Sequence, residues 1–267
     1  MATIHLMFGF MGFGKTTIAK QLEKETSGIC LNHDEIMVEK YGRNPDDFQQ
    51  KYEIVDEYIK KQTKKHICNG IDVILDYGFW THDLRQKYYN WAKSITDDVV
   101  FHITECDLDI AKQRVLNRTQ NDKNSLIIDE NTFDLCLKTY EPWNLQDDFP
   151  VVLHGVPSSC YIGKSVQVKI DRPIHSKHPK YGYEYPINYG YIPFTQSGDG
   201  EELDAYIMAI KNPLEKYVGR CIGVIHRTND DDDKLIVAPN GYNFTDEEIE
   251  NCIGFQEKWF KHVLLRS

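Results

Sequence analysis

The chain has 267 residues, 41% of them hydrophobic and 12% aromatic, and a formal net charge of −10. That apolar content can bury a sizeable core, which excludes a disordered chain, and the length suits one large domain or two ordinary ones. The acidic balance argues against a broad nucleic-acid-binding surface. No apolar run nears the ~18 residues of a membrane span and the N-terminus has no leader pattern, so no membrane partner and a cytoplasmic location are expected.

Up to residue 153, apolar strand-like runs at 3–8, 28–32, 72–76, 99–104 and 151–153 alternate with segments whose apolar residues recur at spacings of three and four. This alternation predicts an α/β domain: a parallel sheet with helices on both faces and a nucleotide at the carboxyl ends of the strands. Directly after the first run stands Gly9-Phe10-Met11-Gly12-Phe13-Gly14-Lys15-Thr16, of the form G-x-x-x-x-G-K-T, and a helix-like segment follows. In that setting the loop amides around Gly9, Gly12 and Gly14 and the helix start, with Thr17, surround nucleotide phosphates. Lys15 bridges phosphate oxygens and Thr16 ligates Mg²⁺, so ATP or GTP is the expected ligand. Three further positions carry two readings each. Asp34, just past the second run, can accept a proton from a substrate hydroxyl or cap a helix. Asp76, ending Val73-Ile74-Leu75, can act on Mg²⁺ or close a turn. Arg114 and Arg118, one helical turn apart, can cover the triphosphate or form a solvated helix face.

The stretch from Gly155 to Ser159 is loop-like, which divides the chain into 1–154, a linker at 155–160, and 161–267. Beyond the linker, Ser165–Ile170, Tyr189–Ile192, Ala205–Ile210 and Arg220–Ile225 read as strands. Asp246–Leu265 reads as a helix that starts at a capping box of Thr245 and Glu248. A small β-barrel or sheet closed by one C-terminal helix follows. Asp199, Glu201 and Asp204 crowd into one turn and strand, and Asn229-Asp230-Asp231-Asp232-Asp233-Lys234 adds four acids and a lysine. Carboxylates at this density repel unless cations sit between them, and hard oxygen ligands suit Mg²⁺ or Mn²⁺, although the aspartate run by itself also reads as a solvated turn. The seven cysteines are dispersed and include no C-x-x-C, a pattern of reduced thiols and not of disulfides or a zinc site.

Gly9 to Thr16, Leu31 to Glu35, Leu75 to Trp80 and the Arg114/Arg118 pair together resemble small P-loop kinases of the polynucleotide-kinase, zeta-toxin and chloramphenicol-phosphotransferase group. The resemblance implies ATP·Mg²⁺ on Lys15 and Thr16, Asp34 as catalytic base and lid arginines, and leaves the hydroxyl acceptor open. The segment Tyr185 to Pro193, followed by Ser197 to Asp204, resembles soluble family I inorganic pyrophosphatases over about Val166 to Lys261 and implies an OB-like barrel. Carried over, Asp199, Glu201 and Asp204 would be central metal-binding acids, Asp230 and Asp232 a later acidic pair, and Asp171 a counterpart of a first-strand glutamate. Lys180, Tyr185, Tyr189, Lys234 and Lys261, the last on the C-terminal helix, would serve the phosphate site. Three departures stand out: Glu201 in place of an aspartate, Phe260 in place of a tyrosine, and no counterpart of a phosphate-binding arginine between Lys180 and Tyr185.

The expectation is a bifunctional enzyme, an ATP-dependent phosphotransferase joined to a Mg²⁺-dependent inorganic diphosphatase, with small-molecule substrates and an oligomer allowed. Two alternatives are a kinase with a non-catalytic pyrophosphatase-like module that binds metal or phosphorylated ligand, and a nucleic-acid 5′-end kinase.

Overall fold

A computed structural model describes residues 2–144, 146–230 and 232–266. Asp231, in the middle of the aspartate run, lies outside the described residues. The chain divides into two compact units, Met1–Asp147 and Asp148–Ser267.

In the first unit, β1 (Ile4–Phe8) runs into the loop 9–14 and then α1 (Lys15–Thr26), β2 (Ile29–Asn32), α2 (His33–Tyr41) and α3 (Phe48–Cys68). β3 (Val73–Asp76), α4 (His82–Lys93), β4 (Val99–Thr104), α5 (Leu108–Asn121) and α6 (Glu130–Leu137) complete it. Strands β1, β3 and β4 are buried at every position, as a sheet covered by helices requires. The helices present apolar stripes: α3 buries Val55, Ile59, Thr63 and Ile67, four residues apart each time. Within this unit the sheet order is β2-β3-β1-β4, and the β2–β3, β3–β1 and β1–β4 pairs are parallel; β5 (Val151–His154) follows in the second unit. The chain thus crosses from β1 to β2 and back to β3, leaving the carboxyl ends of β1 and β3 side by side, where the loop after Phe8 meets Asp76.

The second unit is built from β6 (Ser165–Arg172), β7 (Asn188–Ile192), β8 (Leu203–Ile207), β9 (Lys216–Arg227), β10 (Lys234–Ala238), α7 (Asp246–Glu257) and β11 (His262–Leu265). The order β10-β8-β7-β6-β9, together with a β10–β9 pairing, closes a five-stranded barrel, and β11 adds to β9. Closure removes the exposed edges a sheet this small would otherwise carry. Helix α7 lays Ile249, Ile253 and Glu257, again four apart, against a core of Tyr185, Tyr189, Tyr206, Ile225 and Ile236. Gly190 is obligatory in β7, because a Cβ there would stand 2.0 Å from the Lys169 carbonyl oxygen. Asn188, fully buried, accepts from the Ile174 and Leu214 amides and donates to the Ile210 and Asn212 carbonyls, so it ties the surrounding loops to the barrel.

Three elements differ from the sequence reading. The strand expected over Ala205–Ile210 is Leu203–Ile207, and Ala209 takes a left-handed φ of 65° that no strand accommodates. β10 was not anticipated, because its short apolar run follows a string of acids that reads as a loop. The helix expected to reach Leu265 stops at Glu257, since His262–Leu265 pairs antiparallel with β9; Lys261 therefore lies on the connection between α7 and β11, off the helix.

The first unit also buries an ion pair that no apolar pattern announces. Arg85 of α4 is fully buried, forks onto both Asp147 oxygens at 2.8 and 2.7 Å, and donates to the Phe79 and Glu141 carbonyls. Arg85→Leu would strip the buried Asp147 carboxylate of its guanidinium and leave it only the His82 ring and the Asn144 amide; urea unfolding of the first unit should show a loss of about 3–5 kcal/mol.

Candidate phosphate site and an acid pocket

The loop 9–14 owes its shape to glycine. Gly12 sits at φ 80°, and a Cβ there would come within 2.5 Å of the Ala111 carbonyl oxygen, so only glycine lets the loop lie against α5. Gly14, left-handed at φ 92°, starts α1 with no side-chain cap, so the positive end of the helix dipole meets the loop unmasked by any side chain. Half-buried Lys15 donates to the Phe10 carbonyl at 2.9 Å, and Thr16 Oγ1 donates to Asp76 Oδ2 at 2.7 Å. Asp76 also accepts from Asn32 Nδ2 at 2.7 Å, a contact that follows from the parallel register Asn32↔Asp76. Burial lowers the Lys15 ammonium below its ordinary value, against the pull of Asp76 and Asp34, and burial raises the Asp76 carboxyl. Asp34 is exposed in the first turn of α2, whose cap is Asn32; its charge reaches Lys15. Arg114 of α5 donates to the Gly12 carbonyl at 3.2 Å, and the Arg118 charge also reaches Lys15. Thr17 is exposed on α1.

Beside this group lies a cluster that sequence reasoning missed. Asp56 of α3 is buried, accepts from the Tyr77 hydroxyl at 3.0 Å and from the Tyr88 hydroxyl, and pairs with Lys60 at 2.7 Å. Its signal was present: an acid next to Val55 and three residues before Ile59, on the buried face of α3.

In the second unit, parallel register places Lys234 opposite Asp204 and antiparallel register places it opposite Ile225. Lys234 is buried, and its ammonium donates to Asp204 and Asp232 at 2.7 Å each and to the Tyr189 hydroxyl at 2.9 Å. Tyr189 in turn donates to Asp204. Arg227, at the inward end of β9, donates to both Glu257 oxygens at 2.9 and 2.7 Å, to Asp230 at 2.9 Å and to Asp232 at 3.0 Å. Tyr206 adds a 2.5 Å hydrogen bond to Glu257. Tyr185 is buried in the adjoining core.

The other expected residues stand apart from this cluster. Asp199 is exposed in the 197–201 turn and accepts the Glu201 amide at 3.0 Å; Glu201 is exposed beside it. Asp171 is exposed and pairs with Arg172 at 2.8 Å. Lys180 is exposed with its ammonium over the Tyr181 ring, and Lys261, also exposed, bonds through its backbone to Thr228 and Asn229. Among the described residues, no three His, Cys, Asp or Glu side chains are grouped to hold a metal ion. Of the acids expected to surround Mg²⁺, Asp204, Asp230 and Asp232 bond to Lys234 and Arg227 while Asp199 and Glu201 stay in the exposed turn, and a pocket whose carboxylates already meet two cations does not fit a divalent cluster. Arg227 and Glu257 were missed by the sequence reading, yet each continues a buried series: Gly219, Cys221, Gly223 and Ile225 on the strand, Ile249 and Ile253 on the helix.

Residues 4–143 match the family model described as an AAA domain, and residues 158–263 match the one for inorganic pyrophosphatase. A P-loop kinase-like domain is therefore fused to a pyrophosphatase domain, both from families of enzymes. Among solved structures, a kinase-like protein from Chloroflexus aurantiacus is 15% identical with a TM-score of 0.46, the alignment covering 57% of this chain and 86% of that one. The inorganic pyrophosphatase of Helicobacter pylori is 19% identical with a TM-score of 0.33, over 39% of this chain and 85% of that one. That of Ehrlichia chaffeensis is 21% identical with a TM-score of 0.32, over 40% and 88%. No protein of curated function matches the chain.

Burial alone would raise the Glu257 carboxyl, but hydrogen bonds from Arg227 and Tyr206 hold it below its ordinary 4.5. A depressed carboxyl contributes stability above its unfolded value and loses it as pH falls through the folded one. Urea midpoints of the second unit should therefore fall from pH 5 downward, and Glu257→Gln should flatten that fall while lowering the midpoint at pH 7.

Proposed function

Because the chain belongs to the AAA domain family, we propose that its first unit is an ATP-dependent phosphotransferase that passes a phosphoryl group to a hydroxyl of a small acceptor. The observation that carries this reading is the meeting of Lys15, Thr16 and Asp76 at an uncapped helix start, with Asp34 one short strand away. Phosphate fits there: the amides of the loop lie at a positive helix end, and Lys15 rests on a neutral carbonyl, a partner an anion readily replaces. Thr16 and Asp76 offer oxygen donors suited to Mg²⁺. ATP with Mg²⁺ supplies the phosphoryl group and offsets the charge that develops during its transfer. Lys15 would hold phosphate oxygens, Arg114 and Arg118 would screen the remaining charge, and Asp34 would accept the proton of the acceptor hydroxyl.

Of the two readings of the second unit, the pairing of Asp204, Asp230 and Asp232 with Lys234 and Arg227 favours a module without hydrolytic turnover over a Mg²⁺-dependent diphosphatase. The competing bifunctional reading requires those same oxygens to turn toward metal.

Calorimetry should show ATP binding abolished in Lys15→Ala. Asp34→Asn should keep ATP affinity and lower ATP turnover about 10²–10⁴-fold, measured by mass spectrometry with ATP, Mg²⁺ and a metabolite pool. ADP is the expected nucleotide product; pyrophosphate and AMP, or transfer only to a 5′-hydroxyl oligonucleotide, would overturn the small-acceptor reading. Phosphate release from pyrophosphate with Mg²⁺ should be absent, whereas release that Asp204→Asn abolishes would establish the bifunctional enzyme.

A further inference from the structure

Resting on the non-hydrolytic reading of the second unit, we infer that Arg227 is the resident cation of the acid pocket, a guanidinium fixed where a divalent ion would otherwise balance the carboxylates. Arg227 lies on the inward-facing series of β9 and its side chain is 2% exposed. Of the five N–H donors of a guanidinium group, one from Nε and one from Nη2 go to Glu257, and Nη1 serves Asp230 and Asp232. The Phe260 ring lies over the guanidinium, 3.6 Å from its centroid to Cζ, and covers it by a cation–π contact. Lys234 completes the arrangement by taking Asp204 and the same Asp232 oxygen.

The chemistry of the two cation types separates them. A metal ion exchanges with solvent and leaves when chelated; a guanidinium is covalently attached and stays protonated at any pH the fold survives. A divalent ion approaching Asp230 and Asp232 would meet a fixed positive charge already bonded to both, and would have to break two charge-assisted hydrogen bonds to reach them. Phe260 is part of the same design, because an apolar ring closes the outer side of Arg227 where a polar group would admit water or phosphate. The consequence is a pyrophosphatase-type barrel whose acid pocket is complete without metal.

The test uses the full chain and Mn²⁺ alone, without nucleotide, with bound ion counted by electron paramagnetic resonance. The parent protein should bind no Mn²⁺ that depends on Asp204 or Asp232, and its melting temperature should not respond to the ion at the second-unit transition. Arg227→Met should acquire Mn²⁺ binding about tenfold or more tighter than the parent, with a rise in its melting temperature on adding Mn²⁺, since removing the guanidinium leaves carboxylates in need of a counterion. Adding Asp232→Asn to that variant should remove the gain. Parent Mn²⁺ binding that Asp204→Asn abolishes would overturn the inference, and this arm decides the matter even if Arg227→Met does not fold. A folded Arg227→Met that binds no more Mn²⁺ than the parent would overturn it as well. Pyrophosphate turnover by the parent would instead defeat the non-hydrolytic reading, so the two failures are distinguishable: one is read from metal uptake, the other from phosphate release.

Discussion

A charge taken out of water must find an opposite charge or enough hydrogen bonds to replace its hydration, and this constraint shapes both units. Arg85 and Asp147 satisfy it by a two-pronged pair, with the Arg85 guanidinium also set against the rings of Phe8 and Trp143. Asp56 satisfies it with two tyrosine hydroxyls and Lys60. Glu257 satisfies it with Arg227 and Tyr206. In each case a helix or strand delivers the charged side chain at a position its periodicity assigns to the core, and a neighbouring element supplies the counter-charge.

The same constraint separates the two sites by what it leaves unanswered. At the helix start of the first unit, Lys15 bonds to the neutral carbonyl of Phe10 and no side chain caps α1. Positive potential there is met only partly from within the protein, by the charges of Asp76 and Asp34. In the second unit the buried cations are fully engaged: Lys234 touches two carboxylates and a hydroxyl, and Arg227 touches three carboxylates under a ring. The lysine of the first site thus rests on a neutral oxygen, whereas the buried cations of the second are matched by carboxylates.

Local signals served where one residue's own conformation decides the structure. Gly12 is legible because a left-handed loop position pressed against a backbone admits nothing larger, and the capping box of Thr245 and Glu248 forms as its spacing predicts. They served less well where a contact joins distant segments. The run after Asn229 reads as acids waiting for metal because a sequence shows like charges as neighbours; it does not show that β9 delivers Arg227 to them from the inside. Likewise His262–Leu265 reads as a continuation of α7, and becomes a strand only because β9 offers an edge to pair with.

The sequence by itself determined the two-part organisation, the P-loop with its Lys15 and Thr16, and the barrel with its closing helix, because periodicity, glycine placement and short-range motifs depend on chain neighbours alone. Tertiary structure decided which carboxylates are matched by protein cations and which face outward. That depends on strand register and on inward-facing positions of separate elements, as when Lys234 falls beside Asp204 and Arg227 beside Glu257, and such distances do not exist until the barrel has closed.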